Sequence, residues 1–233
     1  MGESSLDKDI RIKNNKDRDR VYARFSSEQK EMFHAIQDHV FTFCEATAGS
    51  GKTLVSVASM LDLLANEEIS RIIYIQKVSQ RFLQNGFLPG TMEEKTADLI
   101  TPFYDAMATL GYQPESVDKM IDVGLISVVT DSCLRGINFE NVGVIVEEAE
   151  NMDEETLRLI FTRCHDNCFV VMIGDRKQKD NKGDNQDFLY YGRYLARLDI
   201  GCHVRLTKNF RGKFSQSAEC FSIRKEIESN GLI

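Results

Sequence analysis

No apolar run in this chain approaches the roughly 20 residues that a membrane-spanning helix requires. Its N-terminus is polar and charged, without the apolar stretch of a signal peptide, so a cytoplasmic protein is expected. Net positive charge is missing as well. The formal charge of −7 excludes a protein that coats nucleic acid through overall charge, while leaving room for a local basic groove. Proline is scarce: Pro89, Pro102 and Pro114 are the only three, and all fall between Ile75 and Leu125. That interval therefore reads as an insertion of helices and loops rather than a second domain. The six cysteines show no paired CxxC spacing, so Cys164-His165 with Cys168, and Cys202-His203, do not read as a zinc site. Reduced, buried thiols are expected instead. Internal repeats and low-complexity stretches are absent.

What is present suits one α/β domain. The chain has 233 residues, 42% apolar and 28% charged, long enough to bury a large core. Residues 1–20 alternate acidic and basic side chains and read as a disordered tail, leaving 21–233 as a single domain. Short β-like runs are expected near residues 40–44, 71–75, 125–129, 142–146, 169–173 and 203–206. Helical patterning lies between most of them, at residues 54–64, 93–110 and 154–163. Near-continuous apolar strands alternating with helices predict a mostly parallel central sheet covered on both faces.

One segment carries the clearest chemistry. Ala46-Thr47-Ala48-Gly49-Ser50-Gly51-Lys52-Thr53 follows an expected strand and precedes an expected helix. Glycines there allow a tight turn whose N–H groups converge on one anion, and the dipole of the following helix favours negative charge at the same place. Ala48, Gly49, Ser50, Gly51, Lys52, Thr53 and Leu54 are thus the expected nucleotide-binding residues. Lys52 would reach the β- and γ-phosphates, and the Thr53 hydroxyl would join a Mg²⁺ shell. The strict P-loop pattern has glycine where Ala46 stands.

A nucleoside triphosphatase also needs carboxylates at a neighbouring strand end, and Val144-Ile145-Val146-Glu147-Glu148 supplies two. Glu147 is the expected metal-side group and Glu148 the base that activates water. A third strand ends in Gly174-Asp175-Arg176-Lys177-Gln178, so Gln178 or Asp175 would sense the γ-phosphate or position water. Arg211, after the last strand, would set a guanidinium against the transferring phosphate. Gln29, about twenty residues before the loop, carries an amide suited to reading an adenine edge.

Together these pieces resemble the PhoH family of P-loop ATPases, relatives of superfamily-one helicase motor domains, from about Phe25 to Arg211. The most particular match is Gly86-Phe87-Leu88-Pro89-Gly90 with Lys95, similar to the family's GFLPG-x(4)-K segment. Leu134-Arg135-Gly136 resembles its short arginine motif, Glu147–Asn151 its DEAQN, Thr162-Arg163 its TR pair, and Gly174-Asp175 with Gln178 its GD-x-x-Q. Gln29 resembles a Q motif, and Asn209-Phe210-Arg211 an N-Y-R motif whose arginine approaches the γ-phosphate. The A-x-x-G-x-G-K-T loop is itself normal in these families.

The resemblance implies a RecA-like, helicase-like core and an ATPase using ATP and Mg²⁺. It adds Arg163 as a second arginine for phosphate or inter-subunit contact. It also implies coupling to RNA or single-stranded nucleic acid and a homo-oligomer, with a hexamer expected. Glu147 and Glu150 depart from the family's Asp and Gln, and Gln76-Lys77 from its arginine-proline. Those departures bear on turnover rate and keep a nucleotide-sensing module as the alternative, with a small-molecule kinase a weaker third.

Overall fold

The structure, a computed structural model, describes residues 16–77, 92–130, 134, 136–178 and 186–220. Six strands form one sheet: β1 (Phe41–Ala46), β2 (Ile72–Gln76), β3 (Ile126–Thr130), β4 (Gly143–Glu147), β5 (Phe169–Gly174) and β6 (Gly201–Leu206). Their spatial order is β3-β2-β4-β5-β1-β6, and every pairing is parallel. The expected parallel sheet is present, with strand limits within about three residues of those read from the sequence. All six strands therefore end at one edge, and the loops that follow them share it.

Alternation along each strand divides the core. Cys44, Tyr74, Ile145, Val171 and Ile173 face one side. There they meet α2 (Ser27–Asp38), α3 (Lys52–Ala65), α4 (Met92–Thr109) and α5 (Pro114–Asp122) through residues such as Met32, Leu61, Phe103 and Met120. Phe43, Ile75, Val144, Val146 and Met172 face the other side. They are covered by α6 (Glu154–Phe161) and α7 (Asp187–Leu195) through Leu157, Ile160, Phe188 and Leu189. Each fully buried side chain of this size contributes roughly 1.5–3 kcal/mol. With both faces covered, the strands can be apolar throughout, which is why they read as continuous runs rather than alternating ones.

Strand β5 lies between β1 and β4; the crossover from β1 runs to β2 on one side, and the crossover from the neighbouring β5 runs to β6 on the other. Such a switch point opens a crevice outside the carboxyl ends of the strands. The 75–125 interval holds α4 and α5, with Pro102 inside α4. Of the tail expected over residues 1–20, the described residues are 16–20. A helix, α1 (Lys16–Ala23), begins there, and Arg18 bonds the Leu61 carbonyl and pairs with Asp62 at 3.4 Å. The guanidinium ties this otherwise largely exposed helix to α3. Among the described residues, no helix is long and apolar enough to cross a membrane.

Candidate nucleotide site

The loop after β1 is braced from behind. Thr47 N–H donates to the Leu206 carbonyl at 2.9 Å, Ser50 N–H to Thr47 at 3.3 Å, and Phe210 N–H to Gly49 at 2.9 Å. Gly49 and Gly51 take φ of +67° and +81°, a region open to glycine at little cost. Space demands glycine as well. A Cβ at Gly49 would lie 2.6 Å from Asn209 Oδ1 and 2.8 Å from Arg211 Cγ, and one at Gly51 would lie 2.6 Å from Gln29 Nε2. Gly51 is the N-cap of α3, so Lys52 and Thr53 open a 14-residue helix whose free N–H groups and dipole attract an anion.

Across the crevice, Glu147 ends β4 and is buried. Its Oε1 accepts a hydrogen bond from the Thr53 hydroxyl. Burial pushes its carboxyl up, and Lys52 pulls it the other way. A buried carboxylate beside a hydroxyl, with oxygen donors only, fits a hard divalent cation. Glu148 follows with φ +50° and ψ +40°, left-handed backbone without glycine. Such a conformation costs on the order of 1–3 kcal/mol and recurs at functional sites. It turns the chain directly after the strand.

Glu150 is buried too, and burial pushes its carboxyl up to about 8. Its Oε2 accepts the Asp175 N–H at 3.1 Å, joining the acidic turn to the end of β5. Asp175 is buried, its Oδ1 accepting the Lys177 N–H at 2.9 Å, whereas Gln178 is exposed, its N–H donating to the Asp175 carbonyl.

The remaining expected residues divide. Arg211 lies on the loop: its N–H donates to Asn209 Oδ1 at 2.9 Å and its aliphatic stem crosses Gly49. Gln29 abuts the loop, but its Oε1 accepts from Ser26 N–H at 2.9 Å and its Nε2 donates to the Ser50 carbonyl at 2.9 Å. The amide expected to read a base is engaged in holding the loop. Arg163 follows α6 at the opposite, amino-terminal edge of the sheet. Its carbonyl accepts the Phe139 N–H and its guanidinium bonds the Ile137 carbonyl at 3.4 Å. Gly86–Gly90 and Arg135 lie outside the described residues.

Three participants have roles that the sequence reading did not assign. Asn209 is buried, holds the Arg211 backbone and binds Ser215 Oγ at 2.9 Å. Glu28 fastens α2 to the chain after β6, taking both the N–H and the hydroxyl of Thr207 at 2.7 and 2.6 Å. Those bonds hold its carboxyl below the usual range. A face of α4, with Pro102, Asp105, Ala106 and Thr109, lines the groove beside the loop, opposite Phe210 and Arg211. The groove encloses about 330 Å³. Asn209 was visible as part of a motif, but nothing in the sequence signalled the α4 contacts. Among the described residues, no cluster of three or more His, Cys, Asp or Glu forms a metal site.

The chain is 32% identical over 152 residues to a PhoH-like protein of Synechocystis, covering 65% of this chain and 46% of that protein. It is 31% identical over 176 residues to a PhoH-like protein of Mycobacterium leprae, covering 76% and 49% respectively. With protein PhoH of Escherichia coli K12 it shares 32% identity over 153 residues, covering 65% and 43%. The chain thus spans about half the length of the curated relatives it matches. A solved large terminase from a thermophilic bacteriophage superposes with a TM-score of 0.50 at 15% identity, over 86% of this chain and 48% of that one, a likeness of fold alone. The PhoH-like protein model matches residues 22–199, well over half of the chain, and the chain belongs to the PhoH-like family.

Proposed function

We propose that residues 21–233 form one ATP-binding domain that hydrolyses ATP with Mg²⁺. The observation that carries this reading is the contact between Thr53 and Glu147 beside Lys52, at the N-terminus of α3. A phosphate-binding loop, a lysine and a buried carboxylate converge there from two separate strands.

In this reading Ala48–Leu54 bind the phosphates through backbone N–H groups, and Lys52 neutralises oxygens of the β- and γ-phosphates. Thr53 and Glu147 hold Mg²⁺, which supplies further charge neutralisation on those oxygens. Glu148 takes the proton of the attacking water as general base. Arg211, stacked on Gly49, stabilises charge on the transferring group. Asp175 and Gln178, at the end of the intervening β5, position water or sense the γ-phosphate.

The decisive test is phosphate release from ATP with Mg²⁺, beside Lys52→Ala. We expect turnover in the parent and at least ~100-fold weaker nucleotide binding in the variant, from the lost charge-assisted bonds. Equal binding by the two proteins would sink the assignment.

The same reading includes assembly and a nucleic-acid partner. Arg163 lies at the edge away from its own loop, so any role on phosphate falls to a neighbouring subunit's nucleotide, in a homo-oligomer such as a hexamer. Stimulation of turnover by single-stranded RNA tests the coupling, and sedimentation with nucleotide present tests the assembly. One observation favours the alternative, a nucleotide-sensing module with little turnover. Glu147 already reaches the Thr53 hydroxyl directly, where a shorter aspartate would leave more room for a hydrated cation. Tight binding without phosphate release would select that alternative.

A further inference from the structure

The groove beside the phosphate loop is lined by two cations, Lys52 and Arg211, and by a single carboxylate, Asp105. A carboxylate in a cleft built for a polyanion opposes the ligand's charge, unless the ligand presents hydrogen-bond donors at that point. Asp105 is held in place by α4, whose Phe103, Ala106 and Met107 are buried in the core shared with α3. The side chain is exposed, with no hydrogen bond or ion pair to another described residue. Thr109 lies one turn further on and lines the same groove. Its hydroxyl donates to the Asp105 carbonyl at 2.8 Å, so what it offers the groove is oxygen lone pairs.

Direction follows from the loop. Lys52 and the Thr53–Glu147 pair mark the β- and γ-phosphate end, so the α-phosphate and nucleoside leave by the other side. Leu54 and the α4 face line the groove there. Two acceptors one turn apart suit two neighbouring O–H donors. The amine edge of adenine presents a donor beside a ring acceptor, and a second acceptor facing that edge would be repelled.

We propose that Asp105, with Thr109, reads the ribose hydroxyls of the nucleotide, so that the chain selects ribonucleotides over 2′-deoxyribonucleotides. This inference rests on the nucleotide-binding reading above and adds the specificity-determining side chain to it.

Calorimetric titration of the whole chain with Mg²⁺ and either ADP or 2′-deoxy-ADP tests it without turnover. The parent is expected to bind ADP about 10-fold more tightly, the scale of one hydrogen bond to a charged group. Asp105→Ala is expected to bring that ratio close to one by weakening ADP binding. Affinity for 2′-deoxy-ADP should stay the same or rise, because a charge that repels phosphate is gone. Asp105→Asn, which keeps an acceptor oxygen, is expected to retain part of the preference.

Equal affinities in the parent overturn the ribose assignment alone. So does an Asp105→Ala variant that weakens both ligands equally, which indicates a merely structural role. An Asp105→Ala variant that changes the preference between ADP and GDP, with the ribose ratio intact, assigns the residue to the base and overturns the proposal. A parent that binds neither ADP nor ATP overturns the nucleotide reading itself, and this inference with it.

Discussion

Two turns leave parallel strands at the same edge, and they solve the same backbone problem in opposite ways. The loop after β1 reaches left-handed conformations with Gly49 and Gly51, whereas the turn after β4 does so with Glu148. In the loop the proposed function uses backbone N–H donors, and a side chain would collide with Asn209 or Gln29. In the acidic turn the proposed function uses the Glu148 side chain, so on that reading glycine is not an option and the chain holds strain instead. The difference teaches that positive φ marks both turns, but only the first wears it as a sequence pattern.

Glu148→Gln tests the acidic turn most severely. Phosphate release is expected to fall by about 10²–10⁴-fold with ATP binding retained, the usual range for a lost general base. Parental turnover in that variant would refute its assignment. Mirror substitutions then compare the backbones. Gly49→Ala should lower stability by about 1–3 kcal/mol, because it adds a strained φ and a clash with an asparagine already held by Ser215. Glu148→Gly should do the reverse, raising stability by roughly 1 kcal/mol in thermal unfolding while abolishing turnover. Similar losses from both would mean that Glu148 is not strained.

Glu150 links the acidic turn to β5 through pH. Its folded value of about 8 stands above the ordinary 4.5, so the folded protein holds the proton more tightly than the unfolded chain does. That group's contribution to stability is greatest below pH 4.5 and is lost as pH rises to about 8. Glu150→Gln should therefore flatten the decline of Tm over that interval and stabilise the protein most near pH 8. An unchanged slope would show that the carboxyl ionises freely when folded. The smallest effect is expected behind the glycine loop. Glu28→Gln weakens a largely exposed tie to Thr207 and should shift stability by less than ~1 kcal/mol in denaturant titration.

Much of this was legible in the chain. Apolar runs announced all six strands, because a doubly covered sheet needs apolar residues on both faces, and Gly49–Thr53 and Glu147-Glu148 stood out by composition and spacing. Legibility failed where a residue's role depends on what packs against it. The run before Arg20 reads as solvated charge, and only the structure shows Arg18 bonding the Leu61 carbonyl and pairing with Asp62 of α3. Gln29 looked like a base reader, and only the structure shows that its Nε2 bonds the Ser50 carbonyl of the loop while its Oε1 caps its own helix at Ser26. Asp105 carried no signal at all.

The sequence by itself determined the alternation of strands and helices, the glycine loop before α3 and the acidic strand end, because these rest on local periodicity and on residues whose chemistry is written in their side chains. Tertiary structure alone decided that β5 separates β1 from β4, that Arg211 lies on the loop while Arg163 sits at the far edge, and that α4 carries Asp105 to the groove. Strand order and helix docking follow from crossovers and from burial of distant surfaces, and neither leaves a periodic trace in the chain.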